Sequence, residues 1–206
     1  MDIIRKYFPQ LTEHQEQQFA ALDVLYHEWN SKINVISRKD IDNLYEHHIL
    51  HSLAISRVLR FTDNSSILDV GTGGGFPGIP LAILFPKCDF TLIDGTGKKI
   101  FVAQSVAEAI GLCNVICKQL RAEEEKGKYD FIVSRAVMPL SDLVKLVRKN
   151  ISKEQHNALP NGLICLKGGE LYEETKPFKN KAEIISLSDF FKEEYYTTKK
   201  AVYMPL

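Results

Sequence analysis

Ser66-Ile67-Leu68-Asp69-Val70-Gly71-Thr72-Gly73-Gly74-Gly75-Phe76-Pro77-Gly78 is the stretch on which the fold turns. An apolar strand ends in an acidic residue and runs into a glycine-rich loop. Glycine adopts positive φ and lets the backbone approach a ligand closely, so the arrangement describes a cofactor site. Pro77 suits the first turn of the helix that follows, where its missing N–H costs nothing. Asp69, at the strand's C-terminal end, suits a ligand carrying positive charge and would repel a phosphate.

Two cofactors compete for such a loop. Gly73, Gly75 and Gly78 satisfy the dinucleotide pattern G-x-G-x-x-G, and Asp94 follows at a distance suited to a ribose diol. Asp69, Gly71, Gly73 and Gly75 fit the acid-x-Gly-x-Gly-x-Gly loop of S-adenosylmethionine sites position for position. In the second case the carboxylate faces the ammonium of the methionyl group. In the first it faces a pyrophosphate at a helix N-terminus, an unfavourable pairing. The charge favours the methyl donor over an oxidoreductase; a glycine turn without a ligand is the plainer alternative.

Outward from the loop, short apolar runs alternate with amphipathic stretches: Ile67–Val70, then Ile79–Phe85; Phe90–Ile93, then Lys98–Ile110; Val115–Cys117; Phe131–Val133, then Leu140–Val147; and Leu163–Leu166. Strands alternating with helices predict a parallel α/β sheet. Glu183–Leu187 and Tyr195–Met204 read as strands with no crossover helix between them, hence an antiparallel C-terminal hairpin. That ending fits the methyltransferase variant of the Rossmann-like fold better than the dehydrogenase variant. Ligands in open parallel sheets sit beyond the strands' C-terminal ends, where Asp69, Asp94 and Ser134-Arg135 fall. Residues from about 10 to 60 are helical in pattern, with Thr12 and Gln15 forming a capping box. Thr62-Asp63-Asn64-Ser65 marks a boundary, dividing a helical region, 1–62, from a catalytic domain, 63–206.

Composition narrows the options. The 206 residues suffice for one core plus an appendage, and no segment approaches the roughly 18 uninterrupted apolar residues of a membrane span. The N-terminus lacks the features of a signal peptide, so a cytoplasmic location without membrane partners is expected. Cys88, Cys113, Cys117 and Cys165 form no C-x-x-C pair and read as buried reduced thiols rather than zinc ligands. His47 and His51 form an i, i+4 pair without sequence-near carboxylate or cysteine partners; with His48 they read as core or RNA-facing residues, and no metal is expected. Lys and Arg balance Asp and Glu at 26 each, so phosphate binding would have to come from local clusters such as Lys98-Lys99, Lys118 with Arg121, Arg135, Arg148-Lys149 and Lys167.

The fourth strand discriminates among acceptors. It ends Ser134-Arg135-Ala136-Val137-Met138-Pro139, without the Asn/Asp/Ser-Pro-Pro-aromatic motif that orients an exocyclic amine for methylation. The predicted loops also lack a cysteine nucleophile for pyrimidine carbon. An acceptor with its own lone pair remains, either a purine ring nitrogen or a small-molecule heteroatom. Such an acceptor needs no general base, only alignment and electrostatics. Arg135, always protonated and bidentate, suits a guanine edge or a phosphate. Asp94 suits the ribose hydroxyls, and Arg121-Ala122-Glu123 lies where an adenine would be flanked. A methyltransferase of another substrate and a nucleotide-binding regulator without chemistry stay open at this point.

Asp69 to Ile83, with its Phe76-Pro77-Gly78 continuation, resembles the signature of the RsmG/GidB family of bacterial 16S rRNA (guanine-N7) methyltransferases. Trp29-Asn30 with Asn34 is similar to the family's N-terminal W/Y-N-x-x-x-N segment, and Glu46-His47-His48 with Ser52-Leu53 to its H-x-x-D-S-L helix. Asp94 with Lys98-Lys99, Arg121-Ala122-Glu123, Ser134-Arg135-Ala136 and Leu166-Lys167-Gly168 match further family stretches. Val35-Ile36 stands for Leu-Thr, His51 for Asp, Gly95 for Ser and Lys99 for Arg.

The resemblance implies a class I S-adenosylmethionine-dependent methyltransferase with an N-terminal helical extension, acting on N7 of guanine 527 in the 530 loop of 16S rRNA. It implies donor binding by Asp69, Gly71, Gly73, Gly75 and Phe76, with Asp94 on the ribose, Ala122 and Glu123 near the adenine, and Arg135 also at the cofactor. It gives the RNA and the guanine, hence catalysis, to Arg135 and Arg121, with Lys98, Lys99 and Lys167 in support. The neutral charge then points to weak binding of naked rRNA and to action on the 30S subunit or an assembly intermediate; a monomer is expected.

Overall fold

The alternation that begins at Ser66 builds a single seven-stranded sheet. The computed structural model describes residues 1–135 and 138–206. Its strands are β1 (Ser66–Val70), β2 (Asp89–Asp94), β3 (Val115–Gln119), β4 (Phe131–Arg135), β5 (Gly162–Gly168), β6 (Glu183–Ser186) and β7 (Lys199–Pro205). They lie in the order β3-β2-β1-β4-β5-β7-β6, with the first five parallel. β7 inserts antiparallel between β5 and β6, closing the expected hairpin. Successive residues of a strand point to opposite faces. Ile67, Phe131 and Val133 therefore enter one core, and Leu68, Val70 and Ile132 the other.

Helices α5 (Gly78–Leu84) and α6 (Gly97–Ala109) cover the first face and α7 (Leu140–Val147) the second. The N-terminal helices α1 (Asp2–Tyr7) and α2 (Glu13–Lys32), a π-helical turn at Leu44–Leu50 and the short helices α3 (His51–Leu53) and α4 (Ile55–Val58) join the first face through Phe19, Leu22, Tyr26, Ile49 and Leu50. The capping box is present: the Thr12 hydroxyl accepts from the Gln15 N–H at 3.2 Å, and Gln15 Oε1 from the Thr12 N–H at 3.0 Å. Gln15 also donates to the Ile83 carbonyl at 2.8 Å, fastening the start of α2 to the last turn of α5.

Three local expectations change. Tyr195–Thr198 is a 3-10 turn rather than the start of the last strand. There Tyr196 is buried and its hydroxyl donates to the Glu46 carbonyl at 2.6 Å, so tertiary packing overrides strand propensity. Residues 33–40 leave the helix because Asn30 Oδ1 accepts the N–H groups of Val35 and Ile36, both at 2.9 Å, and draws the chain back. Cys113 is exposed and Cys117 half-buried; Cys88 and Cys165 are buried. Among the described residues no helix is long and apolar enough to cross a membrane.

Candidate active site at the strand ends

β1 has β2 on one side and β4 on the other, so the connections diverge there and leave a crevice beyond the strand ends. A cleft of about 380 Å³ lies at that point, a size suited to a nucleoside. Gly71, Asp94, Arg121, Ala122 and Glu123 line it, all five expected from the sequence. Met138 and Leu146 also line it. Leu146 had a readable signal, being an apolar residue of α7 outside the buried set Leu140, Leu143, Val144 and Val147.

Asp94 ends β2 at the cleft. Its Oδ2 accepts the Gly73 N–H at 3.0 Å and its Oδ1 the Thr96 N–H at 2.8 Å. A carboxylate has about four acceptor sites, so Asp94 holds the glycine loop against β2 and retains capacity for two further donors. The apolar groups around it, Ile93, Leu120, Ala122, Met138 and Leu146, suit a flat base.

Asp69 does not line this cleft; it is fully buried beneath the loop. Its Oδ2 accepts the Thr72 hydroxyl at 2.6 Å and the Gly78 N–H at 2.8 Å, while Oδ1 has no partner among the described residues. Burial pushes its carboxyl up to about 7 against the pull of those hydrogen bonds. Gly78 is a glycine for this reason: a Cβ there would stand 2.8 Å from Asp69 Oδ2. Gly75 is forced too, with φ of 111° and a Cβ position 2.4 Å from Ile79 Cδ1.

Phe76 and Arg135 belong to a second cluster facing the N-terminal segment. Phe76 packs against Tyr26 with ring centroids 4.7 Å apart, and the Tyr26 hydroxyl donates to the Gly74 carbonyl at 2.8 Å. The Arg135 guanidinium lies over the Phe76 ring at 5.2 Å and reaches His48 Nδ1 at 3.1 Å. Burial pulls its pKa below the usual guanidinium value. Arg135 was legible in the sequence but its acceptor was not, because the two residues lie 87 positions apart in the chain. Ala136, next in the Ser134-Arg135-Ala136 stretch, and Val137 lie outside the described residues.

The remaining cations divide. Lys167 is committed internally: its ammonium binds Glu174 Oε1 at 2.5 Å and the Met138 carbonyl at 2.9 Å. Glu174 Oε1 also accepts the Leu140 N–H at 2.6 Å, so Lys167 and Glu174 brace the chain between the cleft wall and α7. Arg121 is exposed at the cleft rim, and Lys98 is exposed in the first turn of α6. His47 stacks on Tyr195 at 3.9 Å, and His51 Nδ1 lies 3.3 Å from the Tyr195 hydroxyl. Among the described residues no group of His, Cys, Asp or Glu is arranged to hold a metal.

Comparison with known proteins places this geometry. A family model described as GidB, rRNA small subunit methyltransferase G, matches residues 15–201. The chain is 64% identical over 206 residues to the ribosomal RNA small subunit methyltransferase G of Phocaeicola vulgatus, covering all of this chain and 99% of that protein. It is 66% identical over 204 residues to the protein of the same name from Parabacteroides distasonis, covering 99% and 89%. Among solved structures, an S-adenosylmethionine-dependent methyltransferase from Aquifex aeolicus superposes with a TM-score of 0.58 at 16% identity, over 82% of this chain and 98% of that one. Precorrin-6y C5,15-methyltransferase from Geobacter metallireducens gives 0.57 at 11% identity, over 84% and 92%. The fold is the Rossmann-like methyltransferase fold.

Proposed function

The chain belongs to the GidB family, rRNA small subunit methyltransferase G, and from that premise we propose that it methylates N7 of a guanine in bacterial 16S rRNA, guanine 527 of the 530 loop. The methyl donor is S-adenosylmethionine, which when bound supplies a methyl group on a positively charged sulfonium. One observation carries the donor half of this reading. The cleft is walled by apolar groups suited to adenine, and at its edge Asp94 keeps acceptor capacity for both ribose hydroxyls. Asp69 Oδ1, buried without a donor among the described residues, fits the ammonium of the donor's amino-acid end. Gly71, Gly73 and Gly75 shape the loop between these two carboxylates.

Guanine N7 has a lone pair and no proton, so the reaction calls for no base. The chain's work is to align N7 and to keep water away from it. Arg135 serves that alignment through the guanine O6, an acceptor beside N7 on the same edge, while N7 itself is left free. Arg121, at the rim, and Lys98, exposed in the first turn of α6, serve the RNA backbone. With a net charge of zero, the chain lacks the basic excess that holds naked rRNA, so its substrate in this reading is a folded 30S subunit or its precursor, met in the cytoplasm by a monomer. Mapping 7-methylguanosine in 16S rRNA from cells lacking this protein tests the proposal. Loss of one modification, restored by the wild-type chain, is expected; an unchanged map overturns it.

A further inference from the structure

Arg135 enters a chain of polar side chains whose proton positions can be deduced. Its Nη2 lies 3.1 Å from His48 Nδ1. A guanidinium carries only donors, so the hydrogen on this contact belongs to the arginine and His48 Nδ1 presents its lone pair. The other ring nitrogen of the neutral imidazole must then carry the proton. His48 Nε2 lies 2.7 Å from Asp40 Oδ2 and donates there. Asp40 Oδ1 takes a second bond from His47 Nδ1 at 2.5 Å. The tautomer of His48 is thus set from both sides. Burial and the neighbouring Arg135 charge also push its pKa down to about 4, which keeps it neutral.

Among the described residues Arg135 has only one other acceptor, the His47 carbonyl at 3.4 Å, a long contact. A largely buried guanidinium with most of its donors unspent is costly unless a ligand uses them. Asp40 lies in the irregular stretch that Asn30 turns out of α2, and its carboxylate reaches Arg135 of β4 through His48.

We propose that His48 and Asp40 are positioning residues, a carboxylate–imidazole relay by which the N-terminal segment orients the Arg135 guanidinium over Phe76 for the acceptor guanine. The inference rests on Arg135 meeting that guanine. His48→Asn and His48→Gln separate orientation from bulk. Asparagine places an acceptor where Nδ1 stands and keeps the bond from Arg135. Glutamine reaches the Nε2 position, keeping Asp40 and losing Arg135.

The kcat of His48→Gln on small subunits from cells lacking the protein should fall about 10- to 100-fold. His48→Asn and Asp40→Ala break the same outer link, so both should lose less and the double variant no more than either. S-adenosylmethionine affinity by calorimetry and the melting temperature should stay close to wild type in His48→Gln. Equal losses in His48→Asn and His48→Gln, or a loss confined to donor affinity, overturn the relay. Arg135→Ala distinguishes the two levels. Wild-type turnover there removes the role of Arg135 itself, whereas an inactive Arg135→Ala beside a fully active His48→Gln overturns the relay alone.

Discussion

Two carboxylates at the ends of neighbouring strands meet different fates. Asp94 is half-buried at a cleft and already receives two backbone N–H groups, each on a separate oxygen. Asp69 is buried, with two hydrogen bonds on one oxygen and none on the other among the described residues. Replacing Asp94 by alanine should weaken S-adenosylmethionine binding about 10-fold or more, measured by calorimetry, since each hydrogen bond to a charged group contributes about 1.5–3 kcal/mol. Asp69 predicts something subtler. Its carboxyl, held at about 7 by burial, is half-protonated near neutrality. An ammonium beside Oδ1 favours the ionised form, so binding should release up to about one proton, and affinity should rise as pH passes upward through 7. Titrations in buffers of different ionisation enthalpy read that proton directly. The signal should vanish in Asp69→Asn; proton uptake, or none, in the wild type removes Asp69 from the donor site.

At the scale of elements, the glycine loop is clamped from three sides. Asp94 holds Gly73, Asp69 holds Gly78, and Tyr26 of α2 holds Gly74. The strand, the loop and the helix after it were legible because apolar period and glycine placement are local signals. The clamps from Asp94 and Tyr26 were not, since each joins residues more than twenty positions apart in the chain. Lys167 shows the same limit: beside Leu166 and Gly168 it reads as a surface cation, yet β5 delivers it to Glu174 and the Met138 carbonyl. Lys167→Met preserves most of the volume but strands Glu174. Removing one partner of a buried pair typically costs about 3–5 kcal/mol. Lys167 is 10% exposed and Glu174 23%, so a loss somewhat below that of a fully buried pair, about 2–3 kcal/mol, is expected in urea denaturation. A Lys167→Met protein of unchanged stability that instead binds small subunits more weakly would return Lys167 to the RNA surface.

Across the whole molecule, the N-terminal helices and the sheet share one core, and two imidazoles are sealed at their junction. His48 is pushed down to about 4 and His51 to about 3, in each case chiefly by burial and next by the charge of Arg135. In an unfolded chain both titrate near the ordinary histidine value of about 6.5. Between that value and about 4 the unfolded state therefore binds more protons at these sites, and their contribution to stability is lost as pH falls. Asp69 has the opposite sign. Its folded pKa lies above its unfolded one, so its proton favours the folded state in acid, and that contribution is lost as pH rises through about 7. From pH 6.5 to 5 the excess of the two histidines over the one aspartate grows from about a quarter of a proton to about one, a decline approaching about 1.4 kcal/mol per pH unit at the acid end. Asp69→Asn deletes the opposing group, so its stability should fall more steeply toward acid than that of the wild type, approaching twice the slope. His51→Asn should flatten it. Paired comparison of urea midpoints across this pH range cancels groups common to both proteins, including the exposed His27, whose pKa is shifted upward. Parallel curves for wild type, Asp69→Asn and His51→Asn would mean that the junction admits water and that these groups titrate there as they do in the unfolded chain.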